Sequence, residues 1–109
     1  MNLRNLGVAG ILAMHAFICG SAFAEGDAEA AKSKISMCVG CHGIEGFRTA
    51  YPKVYSVPMI GGQSAAYIAA ALKAYRDGNR NNETMVAIAT GLSDQDIADL
   101  AAYFERSAD

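Results

Sequence analysis

The stretch "SMCVGCHGIEG", residues 36–46, constrains this chain more than any other. It places Cys38 and Cys41 three apart, with His42 directly behind the second. Three chemistries use such a cluster: covalent haem attachment, dithiol redox exchange and zinc binding. On a helix, positions i, i+3 and i+4 share one face. Both sulfurs and the imidazole therefore project toward one object.

The N-terminus says where that object must be bound. "MNLRN" carries Arg4, the apolar run "LGVAGILAMHAFICG" follows, and "SAFA" ends it with small residues at Ala22 and Ala24. This is the pattern of a secretory signal peptide over residues 1–24, with cleavage after Ala24. A retained membrane anchor fits less well, because the run is shorter than the roughly 20 apolar residues that span a bilayer and His15 interrupts it. Cys19 invites a lipoprotein reading, but Ile18 stands just before it, where a small residue is wanted. Removing residues 1–24 leaves two cysteines (Cys38, Cys41), one histidine (His42) and three methionines (Met37, Met59, Met85).

Residues 25–109 make one small domain with a thin apolar core, of the size that a cofactor, metal or disulfide often supplements. Two cysteines three residues apart do not build a disulfide framework across an exported fold, so they serve something local. The chain carries a net charge of −2, and losing Arg4 makes the remainder more acidic. That is not the basic footprint of a nucleic-acid binder.

Three segments read as helices and none reads clearly as a strand. The first, about residues 27–42, has Ala28, Ala31, Ile35 and Cys38 near helical period. The second, about 64–77, carries an apolar stripe of Tyr67, Ile68, Ala71, Leu72 and Tyr75 between a Ser64 cap and a Gly78 stop; core packing is the expected role of the stripe. The third, about 94–107, follows a weak capping box at Ser93 and Asp96, and repeats Ile97, Leu100, Ala101 and Phe104 at i, i+3, i+4 and i+7. Residues 43–63 and 79–92 read as irregular, the latter with a short turn of helix after Thr84 and a break at Gly91. Loops this long in a small domain are usually functional or wrapped around something.

Dithiol exchange wants a thioredoxin-like strand–helix context, which is missing here. Structural zinc needs four ligands, and beyond the cluster residues 25–109 offer no further cysteine or histidine. Haem fits: two vinyl groups take the two sulfurs as thioethers while the imidazole reaches the iron, and C-x-x-C-H is the attachment signature of haem c. With His42 alone, a second axial histidine within the chain is impossible, and a methionine thioether is the natural candidate. Met37 sits beside Cys38 on the attachment helix and cannot reach the opposite face. Met59 and Met85 both fall in loops, and Met85, on a loop returning from the second helix, has the reach to close over the far face.

The residues at this point resemble a known family. "CVGCHG" followed by "VPMIGGQSAAYIAAALKAYRDGNRNNETMVAIATGLSDQDIADLAAYF" looks like the small class I cytochromes c of the c4 and c553 type, over about residues 30–104. The resemblance implies an all-α cytochrome c fold, with three main helices and loops around one covalently attached haem. It matches Cys38 and Cys41 to the thioether cysteines, His42 to the proximal ligand and Met85 to the distal methionine. Pro58, in "PMIGGQ", matches the proline whose carbonyl accepts the ligand histidine's Nδ1–H. "FRTAYPKVYSV" is longer and more aromatic than in many members, so Arg48, Tyr51 and Tyr55 stay open between lining the haem, contacting its propionates and covering its edge.

A haem with both axial positions filled by protein has no open site for substrate, and Met/His ligation raises its potential. The expectation is a periplasmic one-electron carrier with one haem c, no enzyme activity and no membrane span after cleavage. Its partners would be periplasmic or membrane-bound oxidoreductases. A haem subunit of a larger complex, such as a flavoprotein dehydrogenase, is the alternative. A peroxidase-like enzyme is a weaker one, since no second histidine is available for acid–base work.

Overall fold

The computed structural model describes residues 25–107; the expected signal peptide lies outside them. Asp27 opens the first helix, α1 (Ala28–Ala31), its carboxylate accepting from the N–H groups of Glu29 and Ala30. The single helix expected over 27–42 is broken. Residues 32–35 form turns, and α2 (Ser36–His42) follows. Ser33 Oγ donates back to the Ala30 carbonyl at 3.1 Å, and Lys34 N–H tightens onto the Ala31 carbonyl at 2.8 Å. Such local bonds compete with a regular helix.

Two short strands, β1 (Arg48–Thr49) and β2 (Tyr55–Ser56), pair antiparallel with Arg48 opposite Ser56 and Thr49 opposite Tyr55. They lie in the stretch read as irregular, and two residues each leave the architecture all-α. α3 (Ala65–Arg76) has the expected cap, Ser64 Oγ accepting from Tyr67 N–H at 3.2 Å. It ends where Gly78 takes φ +81°, which a residue with a Cβ resists. α4 (Glu83–Thr90) is a full helix where only a short turn was expected. Asn82 makes the difference: its side-chain oxygen accepts from Met85 N–H at 3.1 Å, capping a run that otherwise reads as a polar loop.

α5 (Asp94–Arg106) carries both halves of the capping box, with Asp96 N–H donating to Ser93 Oγ at 3.1 Å and Ser93 N–H to Asp96 Oδ2 at 3.0 Å. It packs on α1 and α3, while α4 packs on α3. Ile97, Leu100, Ala101 and Phe104 join Ala31, Ile68, Ala69 and Leu92 in the core. Polar ties hold the ends. Asp99, 3% exposed, accepts from Asp27 N–H and Gln95 Nε2, Lys34 pairs with Asp96, and Gly62 N–H donates to the Phe104 carbonyl at 2.8 Å. Gly26 lies so close to α5 that a Cβ there would overlap the Ala98 carbonyl.

Candidate functional site

α2 buries no residue fully. Its exposed-looking face instead forms one wall of a cleft, with Cys38, Cys41 and His42 lining it together. Both cysteines are free thiols. Burial pushes the Cys38 thiol up, with the neighbouring Cys41 adding to the effect. An exchange-active dithiol needs the opposite shift. His42 Nδ1 lies 2.7 Å from the Pro58 carbonyl oxygen. A carbonyl only accepts, so Nδ1 donates the proton and, in the neutral imidazole, Nε2 presents a lone pair.

Pro58 lies outside regular secondary structure, and its neighbours Val57, Met59 and Ile60 line the cleft beside it. The α3 stripe faces the same space: Tyr67, Ile68, Ala71, Leu72 and Tyr75 all line it. The core role expected for that stripe holds in part: Ile68 is in the core and Leu72 packs against it. Tyr67 is 55% exposed, and only Ile68 of the five is buried in the core. The stripe is a wall, and Leu100 and Phe104 of α5 are the floor.

Met85 lines the cleft from the first turn of α4, a helix where a loop was expected, together with Ile88. Met59 lines it too, next to Pro58, and Met37 stands at its edge, 50% exposed. Of the three residues left open, Tyr55 lines the cleft, whereas Arg48 and Tyr51 do not. Ile88, Leu92 and Arg80 also line it and were not singled out from the sequence. Ile88 was findable, three residues after Met85 on one helical face, once Asn82 is read as a cap.

The donor set suits a haem. Two thiols and an imidazole stand on one wall, thioethers reach in from other segments, and the remaining lining is mainly apolar and free of carboxylates. Among the described residues no three His, Cys, Asp or Glu side chains converge as a metal-binding group, so these residues do not assemble the four-ligand cage of structural zinc.

The model of the cytochrome c family matches residues 28–107. The chain belongs to the cytochrome c family. It is 50% identical over 82 residues to cytochrome c-554(548) of Halomonas halodenitrificans, covering 72% of this chain and 94% of that protein. It is 39% identical over 87 residues to cytochrome c4 of Pseudomonas aeruginosa, covering 80% of this chain but 41% of the relative. A protein of Stutzerimonas stutzeri named thiosulfate dehydrogenase electron acceptor is 40% identical over 73 residues, 64% of this chain and 32% of its own length. The chain thus spans nearly all of the first relative and less than half of the other two. As a cytochrome c, it carries covalently attached haem c and works as an electron carrier. Among the described residues, no helix is long and apolar enough to cross a membrane.

Proposed function

We propose that the chain is an exported, periplasmic one-electron carrier whose haem is tied through thioethers to Cys38 and Cys41, with His42 and Met85 as axial ligands. The observation that carries the site assignment is the His42 Nδ1–Pro58 contact of 2.7 Å on the wall that also bears both thiols. The Pro58 carbonyl holds the imidazole in one tautomer and one orientation, and raises the basicity of Nε2. Because Pro58 stands against His42, Met59 follows it on the proximal side of the cleft. Met85 comes from α4 instead, which makes it the better placed of the two to face His42 from the other side.

Haem supplies a reversible one-electron couple. The residues around it give that couple a rigid and mainly dry surrounding. Tyr67, Ile68, Leu72 and Ile88 exclude water from the walls, and Leu100 and Phe104 close the floor. His/Met ligation favours a high potential, and two strong protein ligands leave no position for a substrate. This supports a carrier and not an enzyme.

The partners follow from that role: oxidoreductases that deliver or accept single electrons in the same compartment. The relative named as an electron acceptor for thiosulfate dehydrogenase supports an enzyme as the donor. A permanently bound haem subunit would copurify with its enzyme; a free carrier would not. The haem assignment is tested by intact mass and acid–acetone extraction of the purified protein. One haem should remain with a chain beginning at Glu25 after extraction. Extractable haem would refute covalent attachment through Cys38 and Cys41.

A further inference from the structure

We propose that Arg80 pairs with a propionate carboxylate of the haem at the end of the cleft remote from Cys38 and Cys41. The inference rests on the haem reading above and extends it to the ring edge remote from the cysteines.

Among the described residues that line the cleft, Arg80 is the one lysine or arginine, and no Asp or Glu lines it. Its guanidinium lies 4.5 Å from the centroid of the Tyr75 ring, a cation–π contact that holds an otherwise flexible side chain in place. Its backbone N–H donates to the Ala74 carbonyl at 3.1 Å, anchoring the residue just past the end of α3. Arg76, four positions earlier, is engaged with Asp94 at 2.8 Å and Asp77 at 3.6 Å. Arg80 makes no ion pair with any carboxylate among the described residues.

The chemistry of the ring calls for a cation at this end. Haem bears its two propionates on the edge opposite its vinyl groups. With the vinyl carbons at Cys38 and Cys41 on α2, the carboxylates fall toward the far end of the cleft. That end is polar. Thr49, Tyr55, Tyr75, Arg80, Asn82 and Thr84 line both the apolar cleft and an adjoining polar one between the β1–β2 hairpin and residues 79–84. A carboxylate moved away from water costs free energy unless it is paired or hydrogen-bonded, and guanidinium offers it two parallel donors. Lys53 and Glu83 are the other charged side chains of the polar cleft, and Tyr55 and Tyr75 its further titratable groups. Lys53 and Glu83 do not line the apolar cleft.

The test is carbon-13 NMR of the reduced holoprotein, grown on carboxyl-labelled aminolaevulinate so that both propionate carboxyl carbons are visible, and titrated with acid. Arg80→Gln should raise the titration midpoint of one propionate by roughly 1–3 pH units, the usual effect of removing an adjacent arginine. Arg80→Lys should recover part of that shift, and Lys53→Gln should move it less than Arg80→Gln. Equal midpoints for both propionates in the wild type and Arg80→Gln would overturn the pairing while leaving the haem in place. Absence of the labelled carboxyl signals from the purified wild-type protein would overturn the haem reading itself, and the pairing with it.

Discussion

Around α5 the chain buries what it needs to bury with its own side chains. Ile97, Leu100, Ala101 and Phe104 are covered, and the buried Asp99 accepts two hydrogen bonds. Around the cleft the pattern is reversed. α2 has no fully buried residue, and Met37, Met59 and Tyr67 are 50%, 36% and 55% exposed. The cofactor enters the stability of this protein on the cleft side. The α1–α3–α5 side is specified by contacts within the chain, and the cleft side by what its two thiols and imidazole attach.

Removing the attachment should have the largest effect on the cleft side. With Cys38→Ala and Cys41→Ala together, covalent holoprotein should fall to background on a haem-stained denaturing gel. The amides of α2 and α4 should then exchange rapidly with solvent. Native-like protection of both helices in the haem-free double variant would show that the cleft side needs no cofactor.

Within the holoprotein, Ile97→Ala should destabilise by about 2–5 kcal/mol, the range for deleting a fully buried aliphatic side chain, measured by denaturant unfolding. Tyr51→Ala should cost less, because Tyr51 lies outside the cleft and is 87% exposed. Equal losses would erase the distinction between core and surface. Gly26→Ala should cost about 1–3 kcal/mol by overpacking, since its Cβ would meet the Ala98 carbonyl and α5 must shift. An unchanged midpoint would mean that residues 25–27 can leave α5 freely.

The smallest effect should come from acid. Lys34, and then the Ser93 N–H, hold the Asp96 carboxyl down at about 2 from an ordinary 3.8. A folded value below the unfolded one stabilises the protein above the unfolded value. That contribution is lost as pH falls from 3.8 toward 2. Asp96→Asn should therefore flatten the acid limb of the stability curve in this window, by about 1 kcal/mol or less for a largely solvated pair. An acid limb of unchanged slope would contradict the assignment.

Much of the α5 side was legible in the sequence because caps and period agree there. Ser93 and Asp96 mark the start of α5, and Ile97 through Phe104 repeat on one face. The cleft side was harder to read for physical reasons. Asn82 sits inside "NRNNET", where five polar neighbours hide its role as a cap, so α4 read as a loop. The α3 stripe has the period of a core face, and periodicity cannot tell a face that meets protein from one that meets a cofactor. Gly26 owes its role to a chain approach across more than seventy residues, which no local pattern records. Arg80 shows no period at all; its place comes from Tyr75 and from the turn at Gly78. By contrast, Cys38, Cys41 and His42 were readable at once, because their chemistry requires that local spacing.

The proposed haem site lies between His42 and Met85. The most direct measurement is the near-infrared sulfur-to-iron charge-transfer band of the oxidised protein, recorded for the wild type, Met59→Ala and Met85→Ala. The wild type should show the band and Met59→Ala should keep it. Met85→Ala should lose it, fall in potential, since axial ligands move haem potentials over a range of about 0.8 V, and bind cyanide. A band that survives in Met85→Ala and vanishes in Met59→Ala would contradict the assignment of Met85.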